Sequence, residues 1–390
     1  MQYRKFGKVD FEVSALGFGA MRLPTKEGKV DESEATKMLS YAIDHGVNYV
    51  DTAYGYHDGQ SERWLGKALK NNYREKVKLA TKLPSWLVKE ATDFDKYFNE
   101  QLTRLQTDYI DFYLLHTLNE KFWPNLYKLG VLEWAEKAIK EGRIGYLGFS
   151  FHDKYPVFEE IVNAYDWTFC QIQHNYMDIE NQAGTKGLKL AASKGLAVVI
   201  MEPLLGGRLV NPPQPIQALW DTAEKKRTAT DWALQWLWNQ SEVSVVLSGM
   251  SAMEHVQENV AYADVSGINT LTAAELARFD QVREKYRGLS PIPCTACGYC
   301  LPCPNGVNIP RNFGTYNQGI MYAKPEGARG EYAWMLQAYQ KGIDPQDQRA
   351  AACIQCQVCE EKCPQNIPIS QWMPVVHEVL GEGKPYQKSL

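Results

Sequence analysis

Eight short apolar runs, rich in β-branched and aromatic residues, recur between residues 14 and 249. They are 14–19 (SALGFG), 48–53 (NYVDTA), 77–82 (VKLATK), 109–116 (YIDFYLLH), 144–150 (IGYLGFS), 168–174 (TFCQIQH), 196–202 (LAVVIME) and 243–249 (VSVVLSG). Amphipathic stretches of helical spacing lie between them. In "DESEATKMLSYAIDHG", Asp31 is placed to cap, Glu34 follows three residues on, and Gly46 is placed to end the helix. "NLYKLGVLEWAEKAIKEG" and "ATDWALQWLWNQ" read as similar helices. Eight strands alternating with helices over about 250 residues specify a (β/α)8 (TIM) barrel. A doubly wound sheet is the alternative, but no GxGxxG follows the first strand. Ahead of the barrel, "QYRKFGKVDFEVS" reads as a hairpin turning at Gly7-Lys8.

Cysteine marks a second domain. Cys170 is the one cysteine before residue 294, and eight more follow within 70 residues. Neighbours three residues apart are too close for relaxed disulfides. The N-terminus carries no apolar export segment, so a reduced, cytoplasmic setting is expected, where clustered thiolates hold metal. Cys353, Cys356, Cys359 and Cys363 match the C-x2-C-x2-C-x3-C-P pattern of [4Fe–4S] ferredoxins, in which the fourth thiolate serves the other cluster. Cys294, Cys297, Cys300 and Cys303 differ by one residue, with two rather than three before the last cysteine. The reading is two [4Fe–4S] clusters, with one cluster or zinc as alternatives. The expected boundaries are a barrel over 1–285 and an iron–sulfur domain over 290–390, in which "GEYAWMLQAYQKG" is a helix.

Composition removes several partners. The 42 basic and 46 acidic residues leave a net charge of −4, without a basic tract, so neither nucleic acid nor an anionic membrane is expected. No apolar run reaches the roughly 18 residues of a membrane span.

In a barrel of this type the chemistry sits at the C-terminal ends of the strands. There lie Asp51 with Tyr56 five residues on, then Lys82, then His116, on three successive strands. Together these side chains suit carbonyl reduction. A hydride added to the carbonyl carbon leaves an alkoxide, and a tyrosine donates the missing proton if a lysine ammonium lowers its pKa. Asp51 holds Lys82 charged, and His116 donates to the carbonyl oxygen. Alone, an Asp–Tyr pair or a strand-end histidine is usually structural; the combination in this order is what points to catalysis. Trp86, Phe122 and Trp123 are candidate pocket aromatics, with core packing as the alternative.

The segments "DTAYGY", "LATK" and "YIDFYLLH" resemble those of the aldo/keto reductase family, over roughly residues 1–270. The resemblance implies a catalytic tetrad of Asp51, Tyr56, Lys82 and His116, and NADP(H) or NAD(H) bound without a Rossmann fold. "GFSFHD" resembles the carboxamide segment and implies Ser150, with His152 standing in because Phe151 occupies the usual Asn position. "CQIQHN" implies Gln171 and Asn175. "MEPLLGGRL" resembles the pyrophosphate loop and implies Pro203, Leu204, Gly206 and Arg208, with Met201 where an aromatic often stacks. "GMSAMEHVQENV" resembles the adenosine segment and implies Gly249, Ser251, His255, Glu258 and Asn259. Many NADPH-preferring members carry Lys or Arg where this chain has Gly249 and His255, so no strong NADPH preference is expected. The last 100 residues resemble the ferredoxin-like extension of one subfamily.

The expected function is hydride exchange between NAD(P)H and a small aldehyde or ketone, with the clusters relaying electrons to or from a redox partner protein. Hydride carries two electrons and each cluster passes one; a flavin would split them, but no signature for flavin is present. The alternative is a redox sensor or electron-transfer subunit whose barrel binds nucleotide without turnover.

Overall fold

The computed structural model describes residues 1–390. Strands β1 (Tyr3–Lys5) and β2 (Glu12–Ser14) form the antiparallel hairpin, with Gly7 in the turn at a φ of 55°. A side chain at Gly7 would stand 2.5 Å from the Ala197 amide nitrogen, so the turn needs glycine twice over. Next come β3 (Leu16–Gly19) and a short hairpin of β4 (Thr25–Lys26) and β5 (Lys29–Val30), the latter not foreseen from the sequence. The remaining strands are β6 (Tyr49–Asp51), β7 (Lys78–Leu83), β8 (Ile110–Leu118), β9 (Ile144–Phe151), β10 (Phe169–Gln173), β11 (Ala197–Met201) and β12 (Val245–Ser248). Strand β3 and β6 to β12 pair in parallel with their chain neighbours, and β12 returns to β3, closing an eight-stranded barrel.

Helices α1 (Glu32–Asp44), α2 (Gln60–Ala68), α3 (Thr92–Leu105), α4 (Phe122–Lys128), α5 (Val131–Lys140), α6 (Tyr155–Ala164) and α7 (Gly184–Ser193) follow in order. They are followed by α8 (Gln214–Asp221), α9 (Ala229–Trp238), α10 (Met253–Asp264) and α11 (Ala273–Arg287). The Asp31 side chain accepts from Glu34 N at 3.1 Å, and Gly46 takes a φ of 96° after the last turn, as the capping pattern requires. The stretch read as one helix across residues 125–142 is two, because Gly130 adopts a φ of 79° between α4 and α5.

Residues along the barrel strands alternate. Tyr49, Ala80, Phe112, Leu114, Phe169, Ala197, Val199, Val245 and Leu247 point inward and meet Phe6, Val9 and Val13 of the hairpin, which therefore plugs the barrel floor. Leu79, Tyr113, Phe149, Phe151, Ile172 and Val198 join the larger core beneath the helices. Arg4 locks the hairpin in place: its guanidinium donates to Trp238 O, and to Val243 O at 2.9 Å.

Two compact units divide the chain: Met1–Gly206 with Thr230–Ala273, and Gly207–Ala229 with Ala274–Leu390. In the second, Trp220 of α8 meets Phe279 of α11 edge to face, 5.2 Å apart. Helices α12 (Ile309–Met321), α13 (Pro325–Gln340) and α14 (Ile369–Gly381) surround a core that includes Val307, Phe313, Tyr316, Met335, Trp372 and Met373. Two cysteine loops complete this unit. No helix is long and apolar enough to cross a membrane.

Candidate active site and cysteine loops

Strands β6, β7 and β8 are hydrogen-bonded neighbours, so their ends bring Asp51, Lys82 and His116 side by side. Tyr56 opens the turn after β6, where His57, Asp58 and Gly59 all take positive φ. Lys82 Nζ lies 2.7 Å from each Asp51 carboxylate oxygen, 2.7 Å from Thr52 O and 3.4 Å from the Tyr56 hydroxyl. Every ammonium proton thus has an acceptor. The His116 ring meets Tyr56 edge-on at 6.0 Å, and its buried Nδ1 has no partner.

Electrostatics qualify the sequence reading. Burial would push the fully enclosed Lys82 down, but the Asp51 carboxylate and the Tyr56 oxygen outweigh it and hold the ammonium up. Burial raises Asp51 against the pull of Lys82. With both its oxygens 2.7 Å from the ammonium, Asp51 is the charged partner of Lys82. Tyr56 departs from expectation. Burial raises its pKa above the ordinary 10 and Lys82 only partly opposes this, so the hydroxyl holds its proton more firmly rather than less. His116 falls well below 6.5 through burial, then the charge of Lys82, then His152, and is neutral at pH 7.

A hydrogen-bonded frame stands behind this group. Glu62 of α2 is fully buried and accepts from Thr81 at 2.7 Å, Gln101 at 2.6 Å and Arg104 at 3.1 Å. Gln101 also donates to Lys82 O at 3.0 Å, and Arg104 to Tyr54 O at 3.0 Å, so one buried carboxylate ties the Lys82 strand to the Tyr56 turn. Sequence reading missed Glu62. Its signal was a carboxylate at a core position of α2, beside the apolar Trp64 and Leu65.

Among the candidate pocket aromatics, Trp86 stands at the mouth, 42% exposed and 5.1 Å from the His116 ring. Trp123 is core, against Trp167, and Phe122 is half-buried.

The residues matched to cofactor segments separate into groups. Ser150, on the inner face of β9, accepts from Thr117 N at 2.8 Å across a bulge where Thr117 has a φ of 57°. The period of two turns Phe151 outward against Phe158 and leaves His152 on the side of His116. Gln171 donates weakly to Met201 Sδ at 3.6 Å, and its Oε1 is buried without a partner. Asn175 is spent on the loop: it donates to Glu202 O and accepts from Met177 N and Asp178 N. After β11, Pro203 is buried and Leu204 half-buried, with Glu202, Leu205 and Gly206 at positive φ. Turns of this kind line anion-binding concavities. Arg208 lies in the second unit, 3.7 Å from Glu331. Around α10, the His255 ring accepts from Ser251 N at 3.4 Å, Glu258 is exposed, and Asn259 donates to Ser248 at 3.0 Å.

Arg22 was not foreseen. Its side-chain carbons run 3.2 Å from where a Cβ on Gly249 would stand, and its guanidinium comes 3.5 Å from the same point on Gly206. One exposed cation therefore spans two segments matched to the cofactor. An orphaned buried amide oxygen, a turn of left-handed residues and a free-standing guanidinium fit a ligand that has both an amide and a pyrophosphate.

The cysteines form two rings. Cys294, Cys297, Cys300 and Cys363 line one small cavity with Phe313 and Ile367. Cys303, Cys353, Cys356 and Cys359 line a second with Val307 and Ser370. Each run thus lends its fourth thiol to the other ring, and the shorter spacing still brings Cys303 across. Four thiols around one space are the donor set that an iron–sulfur cube takes.

The aldo/keto reductase family model matches residues 15–284, and a 4Fe-4S dicluster domain model matches 293–367. An uncharacterized oxidoreductase, YqkF, of Bacillus subtilis is 29% identical over 296 residues, covering 68% of this chain and 92% of that protein. L-galactose dehydrogenase of Arabidopsis thaliana is 29% identical over 283 residues, covering 67% and 88%. The holo form of an aldo-keto reductase from Bacillus halodurans superposes with a TM-score of 0.62 at 27% identity, covering 72% of this chain and 96% of that one. The barrel, the strand-end constellation at its mouth and these matches lead to one assignment: the chain belongs to the aldo/keto reductase family and carries a C-terminal ferredoxin-like 4Fe-4S dicluster domain.

Proposed function

We propose that this cytoplasmic enzyme interconverts a small aldehyde or ketone and its alcohol with NADH or NADPH, and that its cysteine rings hold two [4Fe–4S] clusters that exchange electrons with a redox partner protein. The observation that carries the catalytic reading is the buried Lys82 ammonium, bound by Asp51 and Thr52 O and reaching Tyr56 at 3.4 Å. It also favours an enzyme over a nucleotide-binding sensor, which has no need of such a group. The nicotinamide, when bound, supplies the hydride. The protein does the rest. His116, neutral, donates an N–H to the carbonyl oxygen and fixes its direction. As negative charge develops on that oxygen, Tyr56 transfers its proton there, and Lys82 stabilises the tyrosinate left behind. Asp51 keeps Lys82 charged, and Trp86 shields the mouth. Ser150, His152 and Gln171 would hold the carboxamide, and Arg22 with the Gly206 turn the pyrophosphate. The clusters, when bound, pass single electrons. The test is anaerobic oxidation of NADH and NADPH with a panel of carbonyls, with iron and labile sulfide counted on the same preparation. Turnover with about eight of each supports the reading; zinc without sulfide, or no turnover with any carbonyl, contradicts it.

A further inference from the structure

The two cysteine loops repeat one backbone. Two residues after the first cysteine, Ala296 and Gln355 take φ of 55° and 57°; two further on, Gly298 and Gln357 take 80° and 64°. Beyond the fourth cysteine, Gly306 N returns to Cys303 O at 3.0 Å and Asn366 N to Cys363 O at 3.1 Å. Helices α12 and α14 then begin at Ile309 and Ile369, and both isoleucines line both cavities. The backbone donors match as well. Ala296 N–H serves Cys294, and Gln355 N–H serves Cys353 at 3.4 Å. The first cysteine of each loop therefore receives the same backbone donor.

The side chains are not matched. Between its third and fourth cysteines the first loop has Leu301-Pro302, and the second has Glu360-Glu361-Lys362. Glu361 and Lys362 are exposed and adjacent, and offset each other in water. Glu360 is half-buried and fixed: its carboxylate accepts from Ser370 N at 2.6 Å, and Ser370 lines the second cavity. Leu301 holds the matching sequence position in the first loop, after its third cysteine, and is an exposed, uncharged side chain. Each electron added to a cluster adds negative charge, and a fixed carboxylate close by opposes it.

Resting on the two-cluster reading above, we propose that Glu360 sets the two sites apart in reduction potential. The site of Cys303, Cys353, Cys356 and Cys359 is the harder to reduce, and that of Cys294, Cys297, Cys300 and Cys363 takes the first electron. The ranking gives the domain a direction. Electrons entering at the second ring pass downhill to the first, where Ile309 and Ile369 are the shared walls.

The test is a redox titration of the full-length protein with dithionite as electron donor, followed by electron paramagnetic resonance. Each step adds one electron per cluster. Wild type shows two steps. Glu360→Gln moves the later step toward the first, changing the distribution of the first electron on the order of tenfold, and leaves the first step in place. Leu301→Glu moves the first step toward the later one. If Glu360→Gln loads iron poorly, Glu360→Asp keeps the charge and the wild-type steps, and Leu301→Glu carries the test from the other ring. An iron count near four overturns the two-cluster reading and this proposal with it. A count near eight with both substitutions silent, or with Glu360→Gln moving the first step, overturns the proposal alone.

Discussion

The barrel mouth and the cysteine rings hold reactive groups in opposite ways. At the mouth, Lys82 is fully buried and each of its protons is taken up by a neighbour of the same chain. In the rings, Cys297 and Cys356 are exposed, the other six cysteines are half-buried, and all eight line the two cavities. The barrel makes its catalytic geometry from its own hydrogen bonds. The second unit makes a shape that its ligand completes, and six of its cysteines border its hydrophobic core. The two regions should therefore fail differently.

The largest effect belongs to the mouth. Lys82→Met removes the partner of a buried carboxylate, so stability should fall by about 3–5 kcal/mol and turnover by on the order of 10³-fold. Adding Asp51→Asn removes the orphaned charge; denaturant unfolding should show stability regained while turnover stays lost. If both recover together, the ion pair is structural and the comparison fails on the barrel side.

Next comes the other side. Stripping iron with a chelator should lower the melting of the second unit by on the order of 10 °C or more, because ligand binding is part of its folding free energy. The barrel transition should stay in place. Calorimetry of loaded and stripped protein reads both; equal shifts would mean that the barrel too depends on the clusters.

A smaller effect is expected at Arg22. Its guanidinium sits over the Gly206 turn, so Arg22→Met should weaken NADH and NADPH alike, by roughly tenfold on the scale of one charge-assisted hydrogen bond. Direct titration of both cofactors checks this, and a loss confined to NADPH would move Arg22 to the 2′-phosphate.

Why Arg22 escaped the sequence reading is instructive. Strand and helix positions follow from local periodicity, whereas His152 was named only through the family resemblance. Arg22 matters because β12 returns to β3 when the barrel closes, bringing Gly249 beside it, and no local pattern carries that contact. The crossing of Cys363 was legible from the ferredoxin spacing, while that of Cys303 was not, because its run is one residue short; the backbone repeat around both was hidden as well, because left-handed φ falls on Ala296, Gln355 and Gln357 as well as on glycines. The direction of the Tyr56 shift was missed for another reason. The sequence names Lys82 as a neighbour but not the burial that outweighs it.

That shift fixes the smallest effect, a pH dependence. Carbonyl reduction needs protonated Tyr56, whose pKa lies above 10, so activity is present below that value and is lost as pH rises past it. His116 sits well below 6.5 and should add no step between pH 7 and 8. A kcat/KM profile with a tyrosine step at or below pH 9 would mean that Lys82, not burial, dominates.

The central claim is that the mouth of the barrel performs carbonyl reduction through Tyr56, whatever the clusters do. Tyr56→Phe keeps the ring and removes the proton. Measured anaerobically on protein with its full iron content, the rate of carbonyl-dependent NAD(P)H oxidation should fall by roughly 10²-fold or more, with cofactor affinity unchanged. A variant that turns over at the wild-type rate would contradict the account and move the seat of chemistry to the cysteine rings.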